Sequence, residues 1–108
     1  MDDKQHLYDI AANLEALGNE TRLETFQLLV RAGNSGMPVG QLQKQLGIPG
    51  STLSHHIARL VNVGLVKQER ISRSLICRAN FTAMDTVIAF LTQNCCELEQ
   101  PNQDKIHE

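Results

Sequence analysis

Apolar residues recur at helical spacing in five stretches of this chain. Leu7, Ile10, Ala11, Leu14 and Leu17 mark a first amphipathic helix that ends at Gly18. Asn19 is placed to cap a second helix, with Leu23, Phe26, Leu29 and Val30 turned inward. Gly33-Asn34-Ser35-Gly36 reads as a turn, and Val39, Leu42 and Leu46 as a short third helix closed by Gly47. After Ile48-Pro49-Gly50, with Ser51 as the expected N-cap, Leu53, Ile57, Leu60 and Val61 form a fourth stripe. Gly64 fits the residue just past the end of that helix. Two extended segments, about 66–70 and 75–79, are joined by a link short enough for a hairpin. Thr82-x-x-Asp85 is a capping-box variant opening a last helix with Met84, Val87, Ile88, Leu91 and Cys95 as its stripe. The pattern predicts a single, mainly α domain with a small β-hairpin over residues 1–108, its core spanning about 7–96. Residues 97–108 are polar, contain Pro101 and are expected to fray as a flexible tail.

The fourth helix carries a second pattern. Ser51, Ser54, His55 and Ala58 share a side away from its apolar stripe, and all are small or hydrogen-bonding. A helix that is apolar on one side and short-polar near its N-terminus on the other fits the major groove of DNA. The hairpin after it then reads as a wing. His56 falls between Leu53 and Leu60 on the inward side, where a polar ring must find a hydrogen-bond partner; it reads as structural. His55 faces outward.

Charge first argues against this and then for it. The formal net charge is −2. Yet residues 51–78 hold Arg59, Lys67, Arg70, Arg73 and Arg78 against Glu69 alone, while the acids concentrate elsewhere. The positive charge sits on the helix and hairpin that would face a nucleic acid. Hydrophobic content of 42% supports a folded domain, and aromatics at 4% point to an aliphatic helical core. No apolar run spans a bilayer, and the first residues lack the order of a signal peptide. A cytoplasmic protein without membrane association is expected, with Cys77, Cys95 and Cys96 as thiols.

The order of elements resembles the ArsR/SmtB family of small bacterial winged-helix repressors over about residues 7–96. The segments that carry the resemblance are Gly18-Asn19-Glu20-Thr21-Arg22-Leu23 and Ser54-His55-His56-Ile57-x-x-Leu60-x-x-x-Gly64-Leu65-Val66. The resemblance implies a winged helix-turn-helix that dimerises through its first and last helices and binds double-stranded operator DNA. It places Ser51, Thr52, Ser54 and His55 at base edges or nearby phosphates. Arg59, Lys67, Arg70 and Arg73 suit phosphates, Arg73 from the wing tip. A single reading helix covers few base pairs, so a homodimer reading two half-sites is expected.

Cys95-Cys96 is the second informative feature. Adjacent thiols at the end of the last helix could both reach one centre, and soft thiolates select thiophilic ions over magnesium or calcium. Trivalent arsenic or antimony fits as an inducer, with no resident cofactor required. Other members of the resembled family use Cys-Val-Cys on the third helix or Asp-x-His on the last. Here those places hold Pro38-Val39-Gly40 and Asp85 followed by Val87, so neither site is present. A further subgroup adds a later cysteine to a terminal pair; residues 97–108 contain none. Three readings stay open: two thiolates plus a non-protein group, a third sulfur from Cys77, or a pair that senses oxidants or reactive sulfur. The bland alternative is that Cys95 simply packs and Cys96 is incidental. No nucleophile–base–orienter set and no glycine-rich phosphate loop is legible, so an enzyme is not expected.

Overall fold

A computed structural model gives the fold and describes residues 3–100. The helices are α1 (Asp3–Leu17), α2 (Glu20–Ala32), α3 (Val39–Leu46), α4 (Gly50–Asn62) and α5 (Phe81–Thr92). Strands β2 (Val66–Ile71) and β3 (Ser74–Ala79) form the hairpin between α4 and α5. A strand absent from the sequence reading is β1 (Met37–Pro38), which pairs with the outer edge of β3. The sheet is therefore three-stranded and antiparallel, in the order β1-β3-β2. Two residues with no side-chain alternation leave no period to read, so β1 was invisible in sequence.

The core gathers Phe26 and Leu29 of α2, Leu42 of α3, and Leu53, Ile57 and Leu60 of α4 under Leu65, Val66, Cys77 and Ala79 of the sheet side. Each fully buried leucine contributes on the order of 1.5–3 kcal/mol. Gly36 lets β1 lie against β3: a Cβ there would sit 2.5 Å from the carbonyl oxygen of Cys77.

The helix boundaries have specific causes, and two N-caps differ from expectation. Asn19 caps α2 as expected, accepting from the backbone N–H of Arg22 at 3.0 Å. Ser51 does not cap α4. The cap position is Pro49, with extended backbone and no side-chain bond, and Ser51 lies in the first turn. Proline's fixed φ sets up the helix start without a side-chain acceptor. Thr82 does not cap α5 either: Asn80 does, accepting from the N–H of Ala83 at 3.2 Å. Leu23 was expected inward and is exposed; the inward side of that turn belongs to Arg22 and Thr25.

The end of α4 is closed by a pair of backbone bonds. Gly64, at φ 82°, donates to Val61, and Leu65 donates to Leu60, each at 3.0 Å. That is the double closure in which a left-handed residue past the C-cap satisfies the last carbonyls. The hairpin turns through Ser72 and Arg73, with positive φ only at Ser72, the sign pattern of a type II′ turn.

α1 and α5 are different from the core helices. α1 buries only Ile10, Asn13 and Ala16, and leaves Leu7, Tyr8 and Leu14 exposed. α5 buries only Val87, with Ile88 and Leu91 52% and 61% exposed. The two helices touch, with His6 edge-on to Phe90 at 5.9 Å. Stripes that the sequence marked as apolar are therefore split, half in the core and half on the surface.

Candidate nucleic-acid interface and thiol pair

The surface of α4 follows from its two patterns. With Leu53, Ile57 and Leu60 turned into the core, Ser51, Thr52, Ser54, His55, Ala58 and Arg59 are all exposed. The hairpin beside it exposes Lys67, Arg70 and Arg73. A groove of about 190 Å3 separates helix and wing, lined by Ser54, Ile57 and Ala58 on one side and Gln68 and Leu75 on the other. All eight residues assigned to DNA from sequence thus lie on two adjacent elements.

Strand geometry separates them further. Side chains two apart share a face. Gln68 and Arg70 stand on the face of Val66, opposite Cys77 and Leu75, which is the side lining the groove. Lys67 stands on the other face with Glu69 and Arg78. Arg70 is therefore the strand cation on the groove side, Lys67 is on the opposite face, and Arg73 lies in the turn at the wing tip. Arg59 is already engaged: its Nη2 donates to Glu15 of α1 at 2.7 Å. Arg78 is structural, bonded to Glu69 at 2.6 Å and to the carbonyl oxygen of Asn34 at 2.9 Å.

His56 occupies the structural place expected for it. Its Nδ1 lies 3.2 Å from Nη1 of Arg22. Burial, followed by the positive charges of Arg22, His55 and Arg59, holds its pKa below the ordinary histidine value. Sequence reasoning singled out the segment containing Arg22 but not this role; the signal was an arginine on the inward side of α2. It also missed Asn80, which caps α5 while donating to the carbonyl oxygen of Gly64 at 2.8 Å, so one side chain joins the end of α4 to the start of α5.

The cysteines part company. Cys77 is fully buried in β3 opposite Met37 and Gln68. Burial raises its pKa, against the hydrogen bond from Gln68. It is a buried core residue, whereas Cys95 and Cys96 are exposed. Cys95 does not continue the α5 stripe. The helix ends at Thr92, because Gln93 is extended and Asn94 left-handed, so Cys95 and Cys96 lie in the turns beyond it. Both are exposed, which removes the reading in which Cys95 packs as a core residue of one chain. Their sulfurs are 3.0 Å apart. The hydrogen bond with Cys95, then desolvation and the charge of Cys95, raises the pKa of Cys96, as expected of two thiols that share a proton. Among the described residues no three His, Cys, Asp or Glu side chains converge. The tail beyond Gln100 lies outside the described residues. No helix among the described residues is long and apolar enough to cross a membrane.

A groove-sized polar helix face, a wing and a core beneath both define a winged helix-turn-helix protein, and the comparisons with known proteins agree. Residues 17–69 match a family described as a helix-turn-helix domain. The HTH-type transcriptional regulator NmtR of Mycobacterium tuberculosis is 33% identical over 89 residues, covering 82% of this chain and 68% of that protein. The solved structure of the transcriptional repressor BigR from Xylella fastidiosa superposes with a TM-score of 0.63 at 29% identity, covering 85% of this chain and 92% of that one. A homodimeric winged helix-turn-helix domain, Mb0332 from Mycobacterium bovis, superposes with a TM-score of 0.67 over 97% of both chains at 22% identity. The chain belongs to the ArsR/SmtB family of winged-helix transcriptional regulators. Its relatives are DNA-binding regulators and not enzymes.

Proposed function

We propose that the chain is a homodimeric repressor whose operator affinity is lowered when trivalent arsenic or antimony binds Cys95 and Cys96. The observation that carries the sensor reading is the exposed pair of sulfurs 3.0 Å apart, close enough for one atom to bridge. Ser51, Thr52, Ser54 and His55 face the bases or nearby phosphates, and Arg70 and Arg73 hold phosphates, with Arg59 and Lys67 contributing after rearrangement. The exposed apolar residues of α1 and α5, together with the homodimer described for Mb0332, support a dimer closed by those helices. The metalloid's third position is then held by hydroxide, an organic group or an external thiol.

The mechanism is a coupling free energy. Sulfur bonds that reshape the turns after α5 act on a helix whose first turn is tied by Asn80 to the end of α4. A ligand preferring the low-affinity shape weakens DNA binding by the factor that DNA weakens ligand binding, typically 1–3 kcal/mol. The test is fluorescence anisotropy on a duplex enriched from a random library by the protein itself. Arsenite should release the wild type, and Cys95→Ser should bind equally well and stay bound. Normal release of Cys95→Ser by arsenite ends the sensor reading.

The same geometry favours a second reading. Two thiols this close can lose two protons and two electrons to peroxide, giving an eight-membered disulfide ring and two waters. That ring is strained and easily reduced. Release by peroxide that a dithiol reverses, without any release by arsenite, selects this input over metalloid.

A further inference from the structure

One buried arginine ties the end of α1 to the reading helix. Arg22 is 9% exposed. Its Nε donates to the carbonyl oxygen of Ala16 in the last turn of α1 at 2.6 Å. Its Nη1 reaches Nδ1 of His56 on α4 at 3.2 Å. A guanidinium has five donors and no acceptor. The second contact is therefore a hydrogen bond only while His56 Nδ1 keeps its lone pair, which fixes a neutral ring with its proton on Nε2. Protonating His56 sets N–H against N–H and places a second cation beside the first.

We propose that Arg22 and His56 are a positioning pair that locks the reading helix to α1, and that protonation of His56 opens the lock and weakens DNA binding. The proposal rests on α4 being the element that reads DNA. The charged and titratable groups around His56 are Arg22 from α2 and His55 and Arg59 on α4 itself. From α1, Glu15 is the counter-charge, and it is already engaged by Arg59. Burial and three neighbouring positive groups all oppose a charged ring. The lock is thus intact at neutral pH. A depressed histidine pKa stabilises the native state above the ordinary histidine value, and that stabilisation is lost as pH falls through the lowered pKa. The direction is diagnostic. Simple electrostatics predicts tighter DNA binding as a DNA-facing surface gains protons. The lock predicts the opposite for His56.

His56→Asn separates the two. The Asn Oδ1 takes the place of Nδ1 as an acceptor for Arg22 but does not titrate. Anisotropy with the self-enriched duplex, from about pH 8 to about pH 5, compares wild type, His56→Asn and Arg22→Lys. The wild-type affinity relative to His56→Asn should stay near one at the alkaline end and fall about tenfold at the acid end, within the usual range of site-to-site coupling. Arg22→Lys, which cannot hold both acceptors in the same fork, should bind more weakly throughout. On the wild type, a long-range proton–nitrogen NMR spectrum at neutral pH should show the His56 ring protonated at Nε2 alone. A flat affinity ratio, or a ring protonated at Nδ1 at neutral pH, overturns the proposal. Absence of DNA binding at every pH overturns the reading function instead; an Nε2–H ring in that case leaves the pair as a stability element and overturns its regulatory half.

Discussion

Where α4 ends, two 3.0 Å backbone bonds close its last carbonyls, and Asn80 adds a side-chain bond to Gly64 before the chain enters a paired strand. Where α5 ends, Gln93 is extended, Asn94 and Cys96 are left-handed, and every residue from Leu91 to Leu98 is exposed. One helix end is held by burial and hydrogen bonds; the other is exposed and held by local turn bonds such as Glu97 to Asn94 and Glu99 to Cys96. The contrast suits the two tasks. A reading surface has to keep its geometry against DNA, while a sensing segment has to change shape for the energy of one or two ligand bonds, which only a weakly determined segment allows.

The largest effect that would break this contrast concerns stability. Leu60 is fully buried at the last turn of α4, so Leu60→Ala should cost about 2–5 kcal/mol in a denaturant titration. Replacing both Cys95 and Cys96 by Ser should change stability by less than about 0.5 kcal/mol, the usual range for surface substitutions. A comparable loss at the cysteines would mean that the thiol end is built like the reading end, and the division drawn above would fail.

An intermediate effect tests the joint between the two regions. Asn80→Ala removes a cap and the bond to Gly64 together. A lost N-cap costs about 0.5–2 kcal/mol. The same variant should also lose part of the release produced by arsenite, measured as the shift in duplex affinity. Lost stability with unchanged release would show that the ligand signal travels by another route, through the exposed faces of α1 and α5.

Legibility in the sequence follows the same division. The reading half was legible because each signal there is local and redundant: the stripe Leu53, Ile57, Leu60, the terminator Gly64, and the strand that follows. His56 could be placed because inward position and polarity together demand a partner. What failed were the choices between near-equivalent neighbours. Pro49 displaced Ser51, and Asn80 displaced Thr82, because a cap is decided by which residue leaves the helix backbone, a matter of one or two positions. Leu23 failed differently, and the α1 and α5 stripes were legible only as apolar faces. Period shows that a face is apolar, not whether its cover is this chain or another. The end of α5 failed because the Val87, Leu91, Cys95 spacing continues the helical period while the backbone does not.

The smallest effect is also the most discriminating among the cations. Removing one phosphate contact should lower the slope of log affinity against log salt by about 0.9. Arg73→Ala, at the wing tip without an intramolecular partner among the described residues, should show that change. Arg59→Ala should show less, because Arg59 must first leave Glu15, with which it pairs at 2.7 Å. Such an exposed pair is worth only about 0.2–1 kcal/mol, so DNA can displace it at modest cost. Glu15→Gln should accordingly raise affinity severalfold at most, and should restore to Arg59 the full salt slope seen at Arg73. Equal slopes for Arg59→Ala and Arg73→Ala in the wild-type background would show that Glu15 exerts no hold on the reading helix.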